Sequence, residues 1–181
     1  MPTLNTSRLT LRPLTLVDAE EIFNYRSDAI VNQYQGWIPE NIEEVIDFIK
    51  NKVSPTIDIA DTWFQFVIIS NKDGKVIGDL GVHFIDKEKS QAELGCTINK
   101  EYHGKGFATE AMAEIISYLF KDLNKHRIHA SVDPRNIASV KLMETLGFRK
   151  EAHFKESLYL NNEWVDDVIY GLLQSEWNRN Q

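Results

Sequence analysis

Ala92-Glu-Leu-Gly-Cys-Thr-Ile98, then Asn99-Lys-Glu-Tyr-His-Gly-Lys-Gly106, then Phe107-Ala-Thr-Glu-Ala-Met-Ala-Glu-Ile-Ile-Ser-Tyr-Leu-Phe-Lys-Asp-Leu123: this stretch decides the fold. Its first seven residues read as a short strand. A glycine-rich turn follows at 103–108. Apolar residues at Ala108, Ala111, Met112, Ile115, Ile116, Leu119, Phe120 and Leu123 then fall at helical spacing, predicting a helix from about Thr109 with one buried stripe. A strand, a glycine turn and a helix N-terminus make an anion cradle. The first helical turn has backbone N–H groups without partners, and the macrodipole places partial positive charge there. Glycine omits the Cβ that would hold a phosphate away. A phosphorylated cofactor is expected at residues 103–109.

Two familiar phosphate motifs do not fit. A P-loop needs Lys and then Ser or Thr after its last glycine, whereas Lys105 lies between Gly104 and Gly106. The dinucleotide fingerprint needs a third glycine where Thr109 stands. Alone, the fragment reads equally as a two-glycine turn entering a core helix.

The rest of the chain adds to it. The turn resembles the acetyl-CoA pyrophosphate loop of the GNAT N-acetyltransferase superfamily, Gln/Arg-x-x-Gly-x-Gly/Ala, which maps onto His103, Gly106 and Ala108, with His103 a departure from Gln or Arg. Downstream, Asp133-Pro-Arg-Asn136-Ile-Ala-Ser139 and Gly147-Phe148 resemble the family's Asn-x-x-Ser…Gly-Phe segment. Ser7-Arg-Leu-Thr-Leu-Arg-Pro-Leu14 and Asn162-Glu-Trp-Val-Asp-Asp-Val-Ile-Tyr-Gly-Leu172 are similar to the ends of the RimJ/RimL branch, which acetylates protein N-terminal amines. The resemblance implies acetyl-CoA as cosubstrate, held at Cys96, Thr97, Ile98, His103, Gly104, Lys105, Gly106, Phe107, Ala108, Thr109, Asn136 and Ser139. It also implies a homodimer, since dimers are common in that branch.

Composition sets bounds. The 181 residues suit one domain, 1–181, able to bury a sizeable core. A hydrophobic fraction of 43% and a charged fraction of 26% are ordinary for a globular protein. The net charge of −7 argues against bulk attraction to nucleic acid or an anionic membrane. Cys96 is the only cysteine, so no internal disulfide and no cysteine-based metal site is expected. The five histidines show no metal-ligand spacing, and no metal is expected. The polar start lacks the apolar segment of a signal peptide, and no apolar run is long enough to span a bilayer, so the cytoplasm is the expected setting.

Outward from the centre, alternation over 8–14 predicts a first strand ended by Pro13. Thr15 with Asp18 and Asn41 with Glu44 are capping pairs for two helices, about 16–25 and 42–53. Residues 63–69 and 75–85 form strands around an Asn71-Lys-Asp-Gly74 turn, and 86–91 is a charged, solvated loop. Residues 127–132 return as a strand, 136–146 form a short helix stopped at Gly147, and 155–173 close as a hairpin about Asn161-Asn162. The fold expected is α/β: a mixed, mostly antiparallel twisted sheet flanked by about four helices. Its central parallel pair, 92–98 and 128–132, opens in the V that the resemblance implies, and the ligand enters where these strands diverge.

The expected reaction is direct transfer of acetyl to a primary amine. The amine must be neutral to attack, the thioester oxygen needs a donor as it becomes an oxyanion, and the thiolate needs a proton or its equivalent. Many superfamily members supply that proton from a Tyr seven residues after the Asn; here that position is Met143. The RimJ/RimL branch implies Ser139 instead, which alternatively bonds only backbone or cofactor. Asn136 positions the cofactor, caps the helix, or both. Glu93 is the first candidate base, and equally a half-buried strand carboxylate paired with a Lys or Arg; Glu156, on the closing hairpin, is the second. A lysine amine, reference pKa ~10.4, costs roughly 3–4 kcal/mol more to neutralise than an α-amine at ~7.7–8.0. A weak base therefore favours an α-amine or a small amine of low pKa.

Cys96 is better accounted for as a small buried strand residue than as a nucleophile. Tyr34, Trp37 and the Trp63-Phe64 pair are candidate walls of an acceptor site, or simply core. Two other readings stay open. One is a CoA-binding or interaction module that has lost catalysis. The other is acetylation of a polyamine, an aminoglycoside or an amino acid, to be decided by the loops 24–40 and 54–61.

Overall fold

Eight strands form one sheet whose central strands are buried on both faces by helices. The computed structural model describes residues 2–88 and 90–177; Met1, Lys89 of the charged 86–91 loop, and residues 178–181 lie outside the described residues. The strands are β1 (Leu4–Asn5), β2 (Leu9–Pro13), β3 (Thr62–Ser70), β4 (Val76–Phe84), β5 (Gln91–Ile98), β6 (Arg127–Val132), β7 (Arg149–Leu160) and β8 (Glu163–Leu173). Their order is β1-β2-β3-β4-β5-β6-β8-β7. Every neighbouring pair is antiparallel except β5 and β6, which are parallel and joined through the helix α3 (Phe107–Lys121).

The register assigns the faces. Leu80, Val82 and Phe84 of β4 stand opposite Cys96, Leu94 and Ala92 of β5. This face packs on α3 through Ala111, Met112, Ile115, Ile116, Leu119 and Phe120, all buried, and on α4 (Ile137–Thr145) through Met143. Each such large side chain removed from water contributes about 1.5–3 kcal/mol. On the other face lie α1 (Ala19–Arg26) and α2 (Ile42–Asp47), with Ile22, Tyr25 and Val45 packed against Val67. Asp79 is buried beneath α1. It accepts from the Tyr25 hydroxyl at 2.6 Å, from Arg26 at 2.5 and 3.1 Å, and from the Gln65 amide. Those bonds satisfy both carboxylate oxygens and lock α1 to the sheet.

The expected caps form. Asp18 accepts from the Thr15 backbone N–H at 2.9 Å, and Asn41 accepts from Glu44 N–H at 3.0 Å. The helix 42–53 is shorter than its apolar spacing suggests: after Asp47 the turns widen at Phe48–Lys52, and Val53 is extended, bridged to Trp63. α3 begins at Phe107, two residues before Thr109, because Gly106 at φ 77° already turns the chain. The closing hairpin also begins earlier, at Arg149, with Asn161 and Asn162 both at positive φ in its turn. β1 carried no periodicity to announce it. No helix among the described residues is long and apolar enough to cross a membrane.

Candidate active site

β5 and β6 pair at only three positions: Gln91 with Arg127, Ala92 with Ile128, and Glu93 with His129. Beyond Glu93 the strands part, and the rest of the β5 edge has no β6 partner. Apart from the Ile98 carbonyl, which accepts from His103, the N–H and C=O groups of that edge that face away from β4 are available to an extended ligand. A cavity of about 820 Å³ occupies the opening, lined by Cys96, Thr97 and Ile98 of β5 and by Asn136, Ser139 and Leu142 at the start of α4.

The cavity continues along the turn before α3, where His103, Gly104, Gly106, Phe107, Ala108 and Thr109 form its wall. Gly104 and Gly106 hold φ of 71° and 77°, which L side chains rarely adopt. A Cβ at Gly104 would meet nothing within 4 Å, and one at Gly106 would approach Arg8 Nη2 at 3.5 Å. The bare backbone therefore faces open space at a helix tip, with a guanidinium nearby. The donor set suits a diphosphate.

Arg8 was not singled out by sequence reasoning. Its guanidinium donates to the Lys105 carbonyl at 3.0 Å, pairs with Glu110 at 2.5 Å and stacks on the Phe107 ring at 4.6 Å. It both braces the cradle and offsets Glu110 in the first turn of α3. Its sequence signals were its place in the expected first strand and in the Ser7–Leu14 segment that resembles the RimJ/RimL branch. Burial raises the Glu110 carboxyl, but hydrogen bonds from Thr6 and Arg8 outweigh it and hold the group below its usual range.

Lys105 does not line the cavity: its ammonium donates to the Glu101 carbonyl at 2.7 Å. His103 donates Nε2–H to the Ile98 carbonyl at 2.7 Å, which pins the ring to the end of β5 and leaves Nδ1 as its other polar atom. Asn136 caps α4, accepting from the Ser139 N–H at 3.1 Å, so its carbonyl is engaged while its amide remains. Met143 is buried in the core. Burial first, and the Asp79 carboxylate second, push the Cys96 thiol up to about 12. It stays a thiol, without the thiolate a covalent mechanism needs.

Glu93 lies outside the cavity wall, at the apex of the fork on the face of the sheet away from α3. Its partner is neither Lys nor Arg. His83 of β4 stands opposite, with Nδ1 at 3.4 Å from Glu93 Oε2. Gly95, the next residue on that face, is exposed, and a Cβ there would meet nothing within 4 Å. The surface beside Glu93 on that face is therefore open at Gly95. Glu156 is exposed in an irregular stretch of β7, two strands beyond β6.

Of the two candidate acceptor loops, only the first reaches the cavity, through Ile30, Val31, Gln33, Tyr34 and Gln35. It is tied down on both sides: Lys100 pairs with Asp28 at 3.1 Å, and Asn161 at the hairpin tip donates to the Gln33 carbonyl at 3.1 Å. Arg135, also lining the cavity, bonds Asp133 and Glu163 and faces Tyr34. The aromatic residues divide. Tyr34 lines the cavity, Trp37 stacks on Phe48 over α2, Phe64 is core, and Trp63 stacks on His83.

The acetyltransferase (GNAT) domain profile matches residues 8–149. An uncharacterized N-acetyltransferase of Bacillus licheniformis, p20, is 35% identical over 98% of this chain and 99% of its own. The [ribosomal protein uS5]-alanine N-acetyltransferase of Escherichia coli is 36% identical over 63% of this chain and 59% of its own. Among solved structures, the spermidine N-acetyltransferase of Vibrio cholerae in complex with CoA and spermine superposes with a TM-score of 0.79 at 27% identity, covering 96% of this chain and 99% of that one.

Proposed function

The chain belongs to the GNAT family and is an acetyl-CoA-dependent N-acetyltransferase, and on that premise we propose that it acetylates a protein N-terminal α-amine directly, through a ternary complex in the fork between β5 and β6. The observation that carries this reading is the ending of the parallel ladder at Glu93 and His129, directly below the cavity.

In this reading the backbone at 104–109 binds the diphosphate, and the free edge at 96–98 holds the pantetheine arm strand-fashion. An N–H of that edge meets the thioester oxygen as charge builds on it. Holding both reactants in one cleft contributes proximity first. Glu93 takes the proton of the attacking amine from the far face. Ser139, one turn into α4 and on the cavity wall, gives its hydroxyl proton or a hydrogen bond to the departing thiolate. Asn136 orients the pantetheine amide through the Nδ2 group that capping leaves free. The protein works as one domain, as a homodimer and in the cytoplasm.

The α-amine is preferred because the candidate base at the apex, Glu93, is a carboxylate, and a carboxylate suits an amine already partly neutral near pH 8 better than a lysine amine. A polyamine acceptor is the second reading. It is supported by the net charge of −7 and by the likeness to a spermidine acetyltransferase. Thiol release from acetyl-CoA with an N-terminal alanine peptide, spermidine and N-acetyl-lysinamide separates them. Preference for the peptide supports the first reading, and preference for spermidine replaces it with the second. Silence on all three defeats both.

A further inference from the structure

Glu93 sits in a row of side chains that the transfer reaction as described does not use. Trp63 of β3, His83 of β4, Glu93 of β5 and His129 of β6 are successive cross-strand partners on one face of the sheet. His83 lies face to face with Trp63, ring centroids 4.9 Å apart and planes within 9°. One ring nitrogen, Nδ1, faces Glu93 Oε2 at 3.4 Å; the other, Nε2, faces Asp61 Oδ1 at 3.8 Å. The Asp61 side chain is 93% exposed, against 23% for His83 and 26% for Glu93. A half-buried carboxylate, an imidazole and a solvated carboxylate therefore stand in line from the fork to bulk water.

We propose that His83 is the proton relay behind Glu93, carrying the proton of the acceptor's ammonium from the apex of the fork to solvent at Asp61. The proposal rests on the amine-acetylation reading above. Glu93 accepts a proton from R–NH3⁺, giving R–NH2 and the carboxylic acid. The acid passes that proton to Nδ1 of the neutral ring, restoring the carboxylate and forming imidazolium. Nε2–H is then lost to water beside Asp61, and exchange with solvent resets the ring tautomer. Nothing is consumed, and one proton reaches bulk water.

The chemistry favours a relay over a lone carboxylate. A reference imidazole lies about two pKa units closer to an α-amine than a reference carboxylate does, which makes it roughly a 100-fold better resting place for the proton. The stack on Trp63 holds the ring plane while one nitrogen faces Glu93 and the other faces Asp61.

His129, on the other side of Glu93, is not an equivalent route. Arg127 Nη1 lies 3.3 Å from its Nδ1, and a guanidinium only donates, so the ring proton stays on Nε2. Burial first, then Arg127 and His83, hold His129 below its usual value against the pull of Glu93 and Glu151. With Nδ1 facing Arg127, His129 offers no ring nitrogen to accept a proton from Glu93. The charged groups around the row are thus Asp61, Glu93, Arg127 and Glu151, with Arg127 itself paired to Glu151 at 2.5 Å.

His83 touches Glu93 and not the acceptor, so it is a positioning residue, and a pH profile distinguishes its role from a structural one. With the α-amine peptide, His83→Gln is expected to lower kcat about 30-fold at pH 6.5, where the amine is protonated. At pH 9.5, where the amine is already neutral, the deficit is expected to shrink to within about threefold. The KM for acetyl-CoA stays within about twofold. Asp61→Asn, a surface change that leaves folding intact, shows the same trend with a deficit of about threefold at pH 6.5. A His83→Gln deficit constant across pH, or no deficit in either variant, overturns the relay while leaving amine acetylation standing. A wild-type protein that acetylates no amine overturns both.

Discussion

Glu93 and His129 are the last residues of β5 and β6 to face each other, and the whole site is arranged around the parting that follows. Above them the free edge of β5 and the start of α4 wall a cavity; below them the sheet is continuous and its helix-covered face is apolar. One short ladder serves as floor to the cofactor side and as apex to the acceptor side.

Gly106→Glu is expected to abolish measurable acetyl-CoA binding by isothermal titration, a loss of at least about 100-fold. The residue sits at φ 77°, where a side chain is strained, and its carboxylate would stand in the anion cradle. Binding retained within about tenfold contradicts the assigned cofactor position.

Ser139→Ala separates protonation from binding. If the hydroxyl protonates the leaving thiolate, kcat falls about 100-fold with little change in the KM for acetyl-CoA. A rise in KM at constant kcat assigns Ser139 to binding alone.

Cys96→Ala should retain more than about half of wild-type kcat, and mass spectrometry after incubation with acetyl-CoA alone should find Cys96 unmodified. Its thiol, pushed up to about 12 by burial and then by Asp79, is not a nucleophile near neutral pH. An acetylated Cys96 would reverse the direct-transfer mechanism.

Asp79→Ala is expected to lower unfolding free energy by about 3–5 kcal/mol in urea titrations, because it strands the buried Arg26 guanidinium without its counter-charge. A loss below about 1 kcal/mol would mean that water reaches Arg26 once the carboxylate is gone.

Asp18 governs part of the acid limb of stability. Burial raises its carboxyl, yet hydrogen bonds from Arg12 and Thr15 prevail and hold it below the ordinary 3.8. A pKa lowered on folding contributes stability above the unfolded-state value and loses it as pH falls through the folded-state value. Asp18→Asn should therefore destabilise the protein at pH 7 and lose less on acidification from pH 5 to 2 than wild type. Parallel acid limbs in the two proteins would exclude Asp18 as a contributor.

Much of the architecture was legible because its signals are local. The Thr15–Asp18 and Asn41–Glu44 caps, the stripe of α3 and the Asn161-Asn162 turn each depend on residues within a few positions of one another. Boundaries slipped where backbone geometry overrode side-chain period. Gly106 in the left-handed region starts α3 early, and the widened turns at Phe48–Lys52 release Val53 to pair with Trp63. Loop 24–40 was a candidate acceptor wall, but its anchoring by Lys100 and Asn161 joins residues 72 and 128 positions apart.

By itself the chain determined a glycine cradle at a helix tip, a strand on either side of that helix and a family, since spacing and residue type are written in order along the sequence. Tertiary structure alone decided that Arg8 braces the cradle, that Lys105 turns away to Glu101, and that Glu93 finds histidines rather than a lysine or arginine as its neighbours. The reason is register: which residues meet across a sheet follows from the pairing of whole strands, and a one-residue slip would send Glu93 into the apolar core.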